Sequence, residues 1–194
     1  MFTNYLIISW RNIFRHFSVS FMNITGLALG LACSMMIYLW VADELSYDRF
    51  HMNADRLYRV EEDQPYSNGV YHVMVTPWPS GPVWKDEIPE IEQACRYTSA
   101  GSFLITRNDR SFYEEKVSAV DSSFFEMFSF ALLSGNPKTV LKEPGSVVIS
   151  SEMATKYFGD EDPMGKTFQV NTSETFQVTG VMKKIPSNSS IDQD

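Results

Sequence analysis

The sequence predicts an α+β fold in which one N-terminal transmembrane helix precedes a mixed-sheet extracytoplasmic domain. Three observations predict it. From Phe17 to Ala42, 26 residues, there is no formally charged side chain. The rest of the 194-residue chain alternates short strand-like and helix-like stretches bounded by Gly, Pro and Asn. Charge is divided as well. Residues 1–42 hold Arg11 and Arg15 and no acid, so they carry +2, which leaves −10 for the remainder of a chain whose net charge is −8. A domain this acidic repels phosphate backbones and anionic lipid headgroups, so no nucleic-acid partner is expected.

The apolar run exceeds the roughly 20 residues needed to span a bilayer. Lipid offers backbone groups no partner but each other, so the run must be helical. Arg11, Arg15 and His16 precede it, and Asp43, Glu44 and Asp48 follow it. The positive-inside tendency then sets the N-terminus in the cytoplasm and everything after Asp43 outside. Tyr38 and Trp40 suit the outer aromatic belt. A signal peptide would have a shorter core and an A-x-A-like cleavage site, whereas this core ends in Trp40-Val41-Ala42-Asp43-Glu44. The division expected is therefore 1–16 cytoplasmic amphipathic helix, 17–42 transmembrane helix and 43–194 outer domain. Phe2, Leu6, Trp10, Ile13 and Phe17 recur at helical spacing, which gives the first segment an apolar stripe. That stripe fits the membrane surface or a partner helix equally well. Within the span, Gly26 and Gly30 form a small-x-x-x-small face on which another helix can approach closely.

Beyond the membrane, Arg56–Val60 and Val70–Val75 read as strands joined through the turn former Asn68-Gly69. Prolines at 77, 79 and 82 lead into a helix around Val83–Glu87, with another short one near Glu90–Gln93. Alternating stretches follow at Ala94–Ser99, Phe103–Thr106 and Glu114–Val120, with a turn at Arg107–Asp109. Ser122–Phe128 reads as a short helix capped by Asp121 or Ser122, its core face formed by Phe124, Phe125, Phe128 and Phe130. Ser146–Ile149 reads as a buried strand. Ser150 or Ser151 then caps a helix that Gly159 stops. Strands are expected at Thr167–Val170 and Thr175–Val181 around a polar turn.

No catalytic constellation is legible. Gly159…Gly165-Lys166-Thr167 has five residues between its glycines where a P-loop has four, and it leads from helix to strand rather than strand to helix. Asp160, Glu161 and Asp162 lack the alternating spacing and distal acid of a calcium loop. His51, near Asp48 and Asp55, and His72 have no second histidine at ligand spacing. Cys33 lies in the apolar run and Cys95 in the polar domain, so an intrachain disulfide would join a lipid-buried helix to a soluble strand. There is no G-x-S-x-G. Asn171-Thr172-Ser173 and Asn188-Ser189-Ser190 are formal glycosylation sequons. Neither enzyme chemistry nor a cofactor or metal is expected.

Several segments together resemble one family. Ser9–Asn12 and Asn23–Gly30 are similar to the start of the first membrane helix in MacB/FtsX-type ABC transporter permeases. Glu44–His51 and Arg56–Val60 are similar to the junction leading into their periplasmic core domain. Val147–Ser150, Ala154–Gly159, Asp162–Lys166 and Phe176–Val181 resemble that domain's own signature; residues 64–140 match loosely. The resemblance implies the permease subunit of a transporter that works as a dimer with a separate cytosolic ABC ATPase. ATP hydrolysis below the membrane would move the periplasmic domain to export or extract peptides, drugs or lipoproteins. The site would be the inner membrane of a bacterium, with membrane lipid around the span and Gly26 and Gly30 packing on other helices. The uninterrupted stretch Leu27–Leu45 would be the mechanical element. Gly159, Pro163 and Gly165 would form a structural turn in the core domain. Family members continue into further membrane helices, so the chain reads as an incomplete piece whose last strands lack sheet neighbours. The alternative is a single-pass sensor or receptor with an outer ligand-binding domain, for which about 16 cytoplasmic residues leave no output module.

Overall fold

The computed structural model describes residues 2–107, 110–171 and 173–191, and the chain divides into two compact units, 1–47 and 48–194. The turn expected at Asn108 and Asp109, and Thr172 of the first sequon, lie outside the described residues.

The first unit is two helices, α1 (Phe2–Arg15) and α2 (Phe17–Glu44). They are separated at His16, whose ψ of 50° leaves the helical region. Helix α2 is 28 residues long, has no residue buried within the protein, and is long and apolar enough to cross a membrane. The helical stretch expected to run to Leu45 ends at Glu44, and Leu45 caps it by donating its N–H to Val41.

The second unit opens with a turn of 3-10 helix at Ala54–Arg56 and a two-stranded ribbon, β1 (Glu62–Tyr66) and β2 (Gly69–Val73). This corrects the strand expected at Arg56–Val60. Arg56 closes the 3-10 turn and Leu57 is extended, but residues 57–60 pair with no described strand, and Tyr58 is 85% exposed. The alternation there reflects side-chain type, whereas a strand also needs a neighbour for its hydrogen bonds. Asn68-Gly69 does turn the ribbon, with Gly69 at φ 147°. Helix α3 (Ser80–Glu87) starts three residues before the expected position. No helix forms at Glu90–Gln93. Ile91 N–H closes a single turn onto Ile88, and Pro89 between them has no N–H to add.

A six-stranded mixed sheet organises the remainder. Its path runs β4-β3-β7-β8-β5, and β6 pairs with β8 off that path. The three stretches expected between Ala94 and Val120 are two 11-residue strands, β3 (Tyr97–Arg107) and β4 (Arg110–Val120), in one antiparallel hairpin. Register shifts at Gly101 break the alternation without ending the strand. Helix α4 is short (Phe124–Met127) and its capping position is Ser123, with no side-chain cap, rather than Asp121 or Ser122. Asp121 is engaged instead by Arg96, and the Ser123 hydroxyl donates to Ala94. A three-residue strand, β5 (Leu132–Ser134), follows, then β6 (Ser146–Ser150), α5 (Ser151–Phe158), β7 (Thr167–Val170) and β8 (Glu174–Met182). The last strand is not short of neighbours. β8 pairs antiparallel with β7 and β5 and parallel with β6, so it is the hub of the sheet.

Two apolar clusters hold the domain. One sets Tyr157 and Phe158 of α5 against Ile105, Ile149, Phe168, Val170, Val178 and Val181 of the sheet. The other gathers Phe124, Phe125, Phe130, Val140 and Met182, with Phe128 and Phe50 packed on its flank. Three of the four phenylalanines expected in the core are buried, and Phe128 is half-buried.

Candidate functional site

The residues singled out in the sequence fall in separate places. Gly26 and Gly30 are one turn apart on α2, and a Cβ built on either meets nothing within 4 Å. The Ser34 hydroxyl donates to the Gly30 carbonyl, so its polar atom is satisfied along the helix. Both glycine positions are open among the described residues.

Gly159, Pro163 and Gly165 are brought together in the loop from α5 to β7. Helix α5 begins where the Ser150 hydroxyl accepts the Met153 N–H at 3.1 Å. It ends at Gly159, whose φ of 62° favours glycine and whose N–H donates to Thr155. The Pro163 carbonyl accepts from Lys166 N–H. Gly165, at φ 75°, donates its N–H to the Val178 carbonyl at 2.8 Å, which seats the loop on β8. Acids and bases around it are mutually paired. Glu161 accepts from Lys166 and from Arg107, at 3.2 Å for the latter, and these bonds hold its carboxyl below the usual range. Arg107 also lies 4.1 Å over the Phe158 ring and donates to the Tyr157 carbonyl. Glu114 of β4 accepts both the Tyr157 hydroxyl, at 2.5 Å, and Lys156 Nζ, at 2.6 Å. Burial, then the bond to Glu114, pushes the Tyr157 phenol far above its ordinary value. Of the adjacent acids Asp160, Glu161 and Asp162, Glu161 is engaged by Lys166 and Arg107 and Asp162 by the Met164 N–H. What this arrangement does is fasten the β3–β4 hairpin to α5.

A third place was not singled out. His51 is 4% exposed, and its ring is packed among Phe50, Phe128 and Phe130. Only its nearby acids are legible in the sequence, because two of its three aromatic partners, Phe128 and Phe130, are almost eighty residues away. His72 is not isolated: its Nδ1 pairs with Asp63 across the β1–β2 ribbon, on an exposed face. Cys33 and Cys95 are both free thiols, and burial pushes the Cys95 thiol up. Among the described residues no three of His, Cys, Asp and Glu gather as a metal site. An apolar cavity of ≈ 370 Å³ lies between the two clusters, walled by residues such as Phe103, Val117, Phe124, Val147 and Phe168. Among the described residues Lys116 is the one charged side chain lining it, so those walls present no pair of acid and base.

Fold and sites thus define a class: a chain with one helix long and apolar enough to cross a membrane, followed by a mixed-sheet α+β domain. The family profile of the MacB-like periplasmic core domain matches residues 20–194, and the chain belongs to that family. A domain of a putative permease protein from Porphyromonas gingivalis is similar at 26% identity and a TM-score of 0.50, over 59% of this chain and 48% of that one. The periplasmic region of MacB from Actinobacillus actinomycetemcomitans aligns at 16% identity and a TM-score of 0.45, over 71% of this chain and 58% of that one. The chain therefore spans about half the length of the solved domains it resembles. No curated protein matches it significantly.

Proposed function

We propose that the chain is the N-terminal part of an ABC-transporter permease subunit, which couples cytosolic ATP hydrolysis to movement of its outer domain. The observation that carries this reading is the union, in one chain, of an apolar 28-residue helix and a MacB-like core domain. Arg11 and Arg15 before the helix, and Asp43, Glu44 and Asp48 after it, support a cytoplasmic N-terminus and a periplasmic domain in a bacterial inner membrane. Cargo would be peptides, drugs or lipoproteins, moved without covalent change, in keeping with a loop whose Glu161 is engaged by Lys166 and Arg107. The partners are a cytosolic ABC ATPase and a second permease, reached through the Gly26 and Gly30 face. Gly159, Pro163 and Gly165 serve as a rigid turn, transmitting movement rather than binding cargo.

The test is co-purification of the full-length protein with a cytosolic ABC ATPase of its own organism, in lipid nanodiscs, with spin labels on paired outer domains. ATP analogues should shift the label-to-label distance, and a Walker-motif mutant of the ATPase should abolish the shift. Failure of the two proteins to associate, or an outer domain indifferent to nucleotide, would remove the permease reading.

A further inference from the structure

The segment that follows α2 is fastened down at both ends. Asp48 takes φ 56°, donates its N–H to the Asn188 carbonyl at 2.9 Å and accepts the Ser190 N–H on Oδ1 at 2.9 Å. Three residues on, His51 Nδ1 accepts the Ser129 N–H at 3.0 Å, and Met52 N–H returns a bond to Ser129 Oγ at 2.9 Å. Asn53 reaches the Met127 carbonyl at 3.5 Å. Residues 48–53 are thus tied to two stretches remote in sequence, 127–130 and 186–190.

The tie at His51 depends on protonation state. A ring nitrogen that accepts an N–H must keep its lone pair, so Nδ1 is bare and the proton sits on Nε2. Adding a proton sets donor against donor and leaves a cation among three phenylalanine rings. The groups facing it do little to receive that charge. Residues 127–130 are Met, Phe, Ser and Phe, and residues 186–191 carry no ionisable side chain. Asp48 alone favours the cation, and burial outweighs it, so the imidazole is held below its ordinary value.

We propose that His51 is an acid-released pin: as a neutral imidazole it fastens the segment after the membrane helix to the domain's aromatic core, and once protonated it lets that segment go. The pin stands on this geometry alone; its use in gating a transporter rests on the permease reading. The sign follows from proton binding. The released histidine titrates near 6.5 and the pinned one lower, so the released form holds more protons between those values. Fastening is full above that range and weakens as pH falls through it.

Amide hydrogen exchange on the whole chain in lipid nanodiscs tests this at Met52 and Ser129. Between about pH 7.5 and about pH 5.5, after correction for intrinsic rates, both amides should lose protection severalfold. His51→Asn, whose Oδ1 replaces the Nδ1 acceptor without titrating, should hold protection constant. Unchanged wild-type protection, or the same acid-dependent loss in His51→Asn, would overturn the pin. Should His51→Asn not fold, nitrogen spectra of wild-type histidine decide. Bare Nδ1 at neutral pH, gaining its proton over the range where protection falls, supports the pin. Nδ1 already protonated at neutral pH, or protection lost while the ring stays neutral, sinks it.

Discussion

Gly180 sits in β8 where three chains of atoms converge. A Cβ there would lie 2.5 Å from Val140 Cγ2, 3.2 Å from Val148 Cγ2 and 3.3 Å from the Ser134 carbonyl. Val140 is buried at 2% exposure and cannot swing into solvent. Gly180→Ala should therefore cost about 1–3 kcal/mol, the usual cost of overpacking. Adding Val140→Ala should recover part of that loss, and denaturant midpoints of the two single variants and the double variant would read the coupling. Additive losses would mean the backbone, not Val140, resists the methyl. Asp121 makes a different residue-scale prediction. The Arg96 guanidinium binds both its oxygens, at 2.7–3.2 Å, and holds its carboxyl below the ordinary 3.8. A depressed carboxylate stabilises above its unfolded value and loses that stabilisation as pH falls through the folded one. Wild-type stability should thus drop on acidification below about pH 3.8, and Asp121→Asn should flatten that part of the profile while lowering stability at neutral pH. An unchanged slope in thermal melts would assign the acid sensitivity elsewhere.

Among the elements, those announced by short-range signals were readable and those made by pairing were not. Helix α5 has its start, stop and apolar face within ten residues: Ser150 caps, Gly159 terminates, and Tyr157 and Phe158 point inward. Likewise β7 alternates in burial, and a short polar stretch separates it from β8. By contrast, Arg56–Val60 carries a strand's composition but has no partner, and β5 is three residues long and exists because Met182 and Val181 pair with it. The parallel register of β6 on β8 joins residues about thirty positions apart, which no local pattern encodes. Candidate sites divide the same way. The glycines of the 159–165 loop announce themselves by type, while the His51 cluster depends on contacts across some eighty residues. Ser150→Ala removes the local signal that starts α5 and should cost about 0.5–2 kcal/mol. The loss should appear as an earlier denaturant midpoint with an unchanged slope. A changed slope would instead mean that the hairpin, tied to α5 through Arg107 and Glu114, came loose with it.

At the scale of the whole molecule, what α2 lacks is a partner. All 28 of its residues are unburied within the protein, and its apolar side chains are those that lipid tails accept. Lipid contact satisfies Leu and Met but gives nothing to Gly26 and Gly30, where the missing side chains leave a shallow notch one turn long. Filling such a notch with another helix would gain van der Waals contact that disordered tails do not match, which is the physical basis of the proposed association through this face. Replacing both glycines by Leu fills the notch from within, raises hydrophobicity and keeps helix length, so insertion should not be impaired. Helix–helix association in a bacterial membrane two-hybrid assay should fall by on the order of tenfold, equivalent to about 1.4 kcal/mol. Gly26→Ala with Gly30→Ala should lie between, since a methyl group fills less of the notch. Undiminished association of the Leu variant would show that partner helices meet α2 on another face, and would leave the small residues as no more than tolerated members of a membrane span.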